Sequence, residues 1–288
     1  MPGKAFGNDF HSKAYVQRFL DATKSNMLFA DRIIFVEGLA EQLLLPCLSA
    51  YLDKEEEILS KHVAIVSVDS RTFKHFVKVF QYSKENKSSI NKKIACIIDA
   101  DPIKKEKKEK AQWKACLPIE LGIDKDFEYK SLSEHIELLK YQTKDYLNIK
   151  IFHPEENKGK TLEYDLALFN VNSELLLSDV MPSTGKNGRE SIKAMFEKFN
   201  KGESINNILS SCENDDIKIK IQNSSWGEEE KKKALIASVY YQSIENGKGE
   251  HAFILEKQLR ENLSITDDRK DFNVPIYLKN AIEYIIED

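Results

Sequence analysis

No stretch of this 288-residue sequence can span a bilayer. The longest uncharged apolar run, around Leu43 to Leu52, is broken by Pro46 and falls short of the about 20 residues that a membrane helix needs. The opening residues, MPGKAFGNDFHSK, hold no apolar core followed by a small-residue cleavage site, so no secretory signal is read there and a cytoplasmic protein is expected. Cysteine is scarce and scattered. Cys47, Cys96, Cys116 and Cys212 form no C-x-x-C pair, which argues against a zinc site or a disulfide framework, and Cys96 lies in an apolar run where a reduced thiol packs as a small hydrophobe. An excess of positive charge is also missing. With 43 Lys and Arg against 47 Asp and Glu, the formal charge is -4, which speaks against a broad basic face of the kind that gives non-specific nucleic-acid affinity. There is no G-x-x-x-x-G-K-[ST] loop for a nucleotide phosphate. The stretch from Pro182, PSTGKNGRE, lacks the first glycine and has Asn187 after its lysine, so it reads as a loop between helices and no ATP hydrolysis is expected. No internal repeat is seen.

What is present is enough for a sizeable core: 41% hydrophobic and 31% charged residues over this length allow one large or two small domains. The chain is organised around Asp31 to Glu41, DRIIFVEGLAE. Ile33 to Val36 is a β-branched and aromatic run that predicts a strand buried on both faces, and Leu39 to Leu48 changes to helical spacing, with Gly38 at the turn. Glu37 then stands at the carboxyl end of a strand and Glu41 about one turn into the next helix, both near the crevice where open α/β sheets bind ligands. Two readings remain open for this pair: cation ligands, or acids favoured by the helix dipole. A second motif bears on the choice. In KKIACIIDADP, Lys92 to Pro102, the strand Ile94 to Ile98 ends in Asp99 and Asp101. Four hard oxygen donors without His or Cys suit Mg²⁺ or Mn²⁺ rather than Zn²⁺, and such sites commonly perform phosphoryl chemistry.

The rest of the chain supplies a frame. A short helix is expected over Lys13 to Ala22, followed by the polar stretch Thr23 to Asn26. DKEEE, residues 53 to 57, reads as charged surface, and His62 to Val68 as a second strand. From Ser70, SRTFKHFVKVF sets Phe73, Phe76, Val77 and Phe80 on one helical face, with His75 beside it as a surface or packing residue. Gln81 to Asn91 is a polar loop. Strand and helix alternating in this way imply right-handed crossovers and a parallel sheet with its site at the carboxyl edge. The lysine-rich IKKEKKEK, Ile103 to Lys110, reads as a solvated loop, with phosphate contact as its functional alternative. Ser133 to Tyr141 reads as a helix, Leu147 to Phe152 as a strand, and TLEYDLALF as a helix with Glu163 in its first turn. Residues 171 to 245 hold amphipathic helices. Trp226, Tyr240 and Tyr241 are expected to pack rather than stack on bases, since nothing basic is interleaved with them. NGKGE, from Asn246, reads as a turn into the helix AFILEKQLREN, and Val274 to Ile286 as a closing helix packed through Ile276, Ile282, Tyr284 and Ile285.

The strand-end Glu with a downstream Asp-x-Asp resembles the signature of Toprim domains, shared by topoisomerases, bacterial primases and several nucleases. Thr23 to Pro46, TKSNMLFADRIIFVEGLAEQLLLP, is more specifically similar to the overcoming-lysogenization-defect (OLD) nucleases, as are KTLEYDLA, Lys160 to Ala167, and NGKGEHAF, Asn246 to Phe253. The resemblance covers roughly residues 20 to 288, with its motifs in the family's order. It implies a Rossmann-like parallel sheet flanked by helices, with a mainly helical C-terminal region. The division expected is 1–30 N-terminal helix and linker, 31–170 catalytic Toprim domain, 171–245 helical insert, and 246–288 helices completing the Toprim region. It also implies a two-metal phosphodiester hydrolase acting on DNA, with Mg²⁺ or Mn²⁺ held by Glu37, Glu41, Asp99, Asp101 and Glu163. Catalysis would fall to Glu37, Asp99 and Lys248, the lysine offsetting charge in the transition state. The ATPase domain that precedes this region in the family is not found here. DNA, a separate ATPase subunit and further copies of the chain are therefore the expected partners. None of the eleven tyrosines is marked as a nucleophile. A regulatory subunit that needs an ATPase partner, and an RNA-processing nuclease, are the alternatives, and a role in defence against phage is implied by the family alone.

Overall fold

The computed structural model describes residues 6–19, 25–68, 72–83 and 88–288. In chain order the elements are α1 (Phe10–Phe19), α2 (Asn26–Phe29), β1 (Arg32–Val36), α3 (Leu39–Ala50), α4 (Glu55–Ser60), β2 (Val63–Ser67), α5 (Phe73–Val77) and β3 (Lys93–Ile97). There follow β4 (Ile103–Glu106), β5 (Lys114–Ala115), β6 (Phe127–Lys130), α6 (Glu134–Thr143), β7 (Ile149–Phe152) and α7 (Leu162–Phe169). The remainder is helical: α8 (Arg189–Asn200), α9 (Ile205–Leu209), α10 (Asp215–Asn223), α11 (Glu228–Ser243), α12 (Lys248–Leu263) and α13 (Ile276–Ile286). Of the sequence expectations, residues 20–24 of the first helix and polar stretch, Ser70 and Arg71 before α5, and residues 84–87 of the polar loop lie outside the described residues. Among the described residues no helix is long and apolar enough to cross a membrane.

The chain divides into two compact units. One comprises Met1–Asp99, Glu134–His153 and Ile276–Asp288, the other Ala100–Ser133 and Pro154–Pro275. The first contains a parallel four-stranded sheet in the order β2-β1-β3-β7. Its strands RIIFV, VAIVS, KIACI and IKIF are short runs rich in β-branched residues, and the central pair is buried from Ile33 to Val36 and from Ile94 to Ile97, as a sheet covered on both faces requires. Register is direct: Ile34 pairs with Ile65 on one side and Ala95 on the other. Phe73, Phe76, Val77 and Phe80 are all buried as the helical spacing predicts, and Phe35 stacks at an angle on Phe76 and Phe80. His75 is a packing residue, its Nδ1 2.7 Å from the Ser12 hydroxyl, and burial holds its pKa below the ordinary value. Cys96 is a buried free thiol whose pKa burial raises. Within this unit α13 packs on β1, β3 and β7, and Arg32 Nη1 donates to the carbonyls of Ile285 (2.7 Å) and Glu287 (2.6 Å). Ile276, expected to pack, is exposed, whereas Ile282, Tyr284 and Ile285 are buried as expected, together with Leu278 and Ala281.

The second unit joins a small antiparallel sheet, β5-β4-β6, to a helical body. Here the structure corrects one expectation: Ile103 to Glu106 is a strand and not a solvated loop. Lys104 pairs with Glu120 and Lys105 with Glu128 (3.1 Å), and the Lys105 and Lys130 ammonium groups lie over the Trp113 ring. In the helical body α7 packs against α11, and Tyr164 and Tyr240 are among the largest fully buried side chains.

Candidate metal centre

The chain leaves β1 to form β2 on one side of it and leaves β3 to form β7 on the other, so the adjacent carboxyl ends of β1 and β3 border the switch point of the sheet. At such a point the following loops part and open a crevice. Glu37 is the first residue past β1 and Asp99 the second past β3, and the Asp99 N–H donates to Glu37 Oε1 at 3.3 Å. Asp101 follows by two peptide bonds in a left-handed conformation (φ 44°), which Asp tolerates better than most side chains. Glu37, Asp99 and Asp101 each offer a carboxylate oxygen, and these oxygens lie within 4.8 Å of one another. Glu37 and Asp99 are half-buried and Asp101 is exposed. Three carboxylates this close repel one another, and a bound cation would offset that repulsion. The donors are all hard oxygens, so the set fits Mg²⁺ or Mn²⁺.

The two readings of the first acidic pair separate here. Glu37 joins the cluster, whereas Glu41 is buried and its Oε2 accepts the Gly38 N–H at 3.1 Å, closing the first turn of α3. A Cβ on residue 38 would stand 3.2 Å from that oxygen, so Gly38 lets the carboxylate fold back onto the turn that presents Glu37. The structure therefore does not bring Glu41 to the other three.

Glu163 and Lys248 meet each other. Thr161 caps α7 by accepting the Tyr164 N–H and donates its hydroxyl to Glu163 Oε2 at 2.8 Å; the same oxygen accepts from Lys248 Nζ at 3.1 Å. Lys248 is the first residue of α12 rather than part of a preceding turn, because Gly247 takes the cap position. A cation there opposes the helix dipole, and Glu163 offsets it. Three residues on, His251 is buried between two hydroxyls, with Nδ1 2.7 Å from Ser178 Oγ and Nε2 2.5 Å from Tyr240 OH. Burial lowers its pKa to about 4, so the ring is neutral near pH 7 and donates to one hydroxyl while accepting from the other.

Two residues that sequence reasoning passed over belong to this part of the chain. The Lys160 carbonyl accepts the N–H groups of Ala100 (2.8 Å) and Asp101 (3.2 Å), and its Nζ lies 3.6 Å from Asp101 Oδ1. The Tyr241 ring lies under both Lys160 Nζ (5.1 Å) and Lys248 Nζ (5.0 Å). Burial raises the Tyr241 hydroxyl to about pKa 12, a poor setting for a tyrosine nucleophile. Gly159-Lys160-Thr161, just ahead of α7, is the signal that could have pointed to Lys160. Nothing local marked Tyr241, whose lysines come from 81 residues before it and seven after it. Gly159 itself is required: a Cβ there would approach Pro154 Cβ to 2.4 Å and Asp165 Oδ2 to 2.9 Å.

No curated protein sequence matches the chain. The C-terminal region of the Burkholderia pseudomallei OLD protein is similar at 20% identity over 90% of this chain and 98% of that one, with a TM-score of 0.46. The C-terminal region of the Xanthomonas campestris pv. campestris OLD protein is similar at 16% identity over 91% and 94%, with a TM-score of 0.46. Residues 28–101, which span β1 to β3 and include Glu37, Asp99 and Asp101, match the family described as overcoming lysogenization defect protein-like, TOPRIM domain. The family match is confined to residues 28–101, the part of the chain that holds the acidic cluster.

Proposed function

We propose that this chain is a metal-dependent endonuclease or nickase that hydrolyses phosphodiester bonds in DNA. The observation that carries the reading is the convergence of Glu37, Asp99 and Asp101 at the switch point of a Toprim sheet. These carboxylates would hold Mg²⁺ or Mn²⁺, which when bound supply charge neutralisation at the phosphate and activation of the attacking water. The protein's own part is to fix the donors. Glu41 secures the turn after Glu37, and the Lys160 carbonyl pins the backbone of Ala100 and Asp101. Lys248, held by Glu163, contributes positive charge for the transition state.

The test is incubation of the chain with supercoiled plasmid in Mg²⁺, in Mn²⁺ and in EDTA, with a single-stranded RNA of matched length as a parallel substrate. Relaxed or linear plasmid in either metal but not in EDTA is the expected result. Intact plasmid throughout overturns the proposal, and cleavage confined to RNA replaces the substrate.

A further inference from the structure

We infer that Lys160 is a built-in counter-ion of the metal site: its ammonium neutralises Asp101 when no metal is bound and transfers to the Tyr241 ring when a metal takes that carboxylate. This rests on the metal-site reading above and assigns a role to a residue outside the acidic cluster.

Lys160 is 4% exposed at its side chain, whereas Asp101 is 52% exposed. A buried ammonium needs a compensating group, because leaving it unpaired away from water is strongly unfavourable. Lys160 has two such groups. One is Asp101 Oδ1 at 3.6 Å, too long for a strong hydrogen bond but close enough for charge compensation. The other is the face of Tyr241 at 5.1 Å, within the range of cation–π attraction. The backbone of Lys160 also holds the N–H groups of Ala100 and Asp101, which keeps the base of the lysine side chain beside the carboxylate while its flexible stem lets the ammonium move. A divalent ion on Asp101 must then compete with a resident positive charge, and the ring gives that charge a second place to rest.

The consequence has a sign that simple damage would not produce. Removing the ammonium while keeping the stem, in Lys160→Met, removes a competitor of the metal and should tighten Mn²⁺ binding by about ten-fold, the scale of one partly screened charge a few ångströms away. Lys160→Arg keeps the charge and should bind Mn²⁺ as wild type does. If Lys160 only buttresses the turn, Lys160→Met loosens the site and Mn²⁺ binding weakens.

The experiment is calorimetric or EPR titration of the full chain with Mn²⁺ for wild type and both variants, with circular dichroism to confirm folding. Tighter binding in Lys160→Met alone is the expected result, and equal or weaker binding in that variant overturns the inference. A wild-type chain that binds no Mn²⁺ defeats the metal-site reading itself, which separates the two failures. Should Lys160→Met not fold, Lys160→Gln takes its place with the same expected sign.

Discussion

Two groups of crowded polar side chains in this molecule invite a functional reading, and their chemistry differs in kind. Ser178, His251 and Tyr240 satisfy one another: the ring and both hydroxyls are buried, the bonds are short, and the ring is neutral. Glu37, Asp99 and Asp101 crowd like charges at a half-open sheet edge. A closed hydrogen-bond chain has nothing left to offer a ligand, whereas like charges held close by the backbone are a demand for a cation. A serine beside a histidine is therefore no sign of a nucleophile here, and a trio of acids at a switch point is a sign of a metal.

The sharpest way to break this contrast is to remove one acid. Asp99→Ala or Glu37→Ala should lower plasmid cleavage by about a thousand-fold or more while the metal-free protein melts at the same temperature or slightly higher, because like-charge repulsion is relieved. Plasmid conversion and thermal melts read both effects, and full activity in either variant would remove the trio from the site. Next in size is Lys248→Ala, for which single-turnover cleavage at saturating DNA should fall by about one hundred-fold, the scale for loss of one electrostatic stabiliser, with a modest loss of DNA binding. Restoration of the wild-type rate by high DNA concentration would make Lys248 a docking charge only.

The other side of the contrast is tested by stability. His251→Phe leaves the Ser178 and Tyr240 hydroxyls buried without their ring partner and should cost about 2 kcal/mol in urea unfolding at pH 7. The smallest effect is in pH dependence. The His251 ring takes its proton at 6.5 when unfolded but only at about 4 when folded, so stability falls as pH drops from 6.5 to 4. Asp165 works oppositely: burial raises its pKa from 3.8 to about 7, so the unfolded chain sheds the proton first and stability falls as pH rises from 3.8 to 7. Each slope is about 1.4 kcal/mol per pH unit inside its window, and the two nearly cancel in the wild-type protein. Asp165→Asn should uncover the histidine slope, giving stability that rises between pH 4 and 6.5. A flat profile in that variant would mean that His251 titrates near its ordinary value.

The parallel sheet was legible because its information is local. Runs such as IIFV and IACII are apolar on both faces, and the carboxylates that end them must emerge at the sheet edge whatever the rest of the chain does. What escaped reading depends on distant partners. Lys104 and Lys105 look solvated until Glu120 and Glu128 arrive to pair with them and Ile103 to Glu106 becomes a strand. Lys160 and Tyr241 are neighbours only after α7 and α11 pack together. The compact units follow contacts rather than a linear order, and the chain crosses between them at 99/100, 133/134, 153/154 and 275/276.

Those crossings set a timetable for biosynthesis. The helix Ile276–Ile286 that packs on β1, β3 and β7 leaves the ribosome well after β7, which is complete at Phe152. At about 5–20 residues per second, translation of the intervening segment takes on the order of ten seconds. Throughout that interval the nascent sheet lacks the Ile285 and Glu287 carbonyls that receive Arg32, and its apolar strands are open to wrong partners. The order in which these elements are made is therefore not the order in which the sheet can close, because the strands are complete long before the helix that covers them.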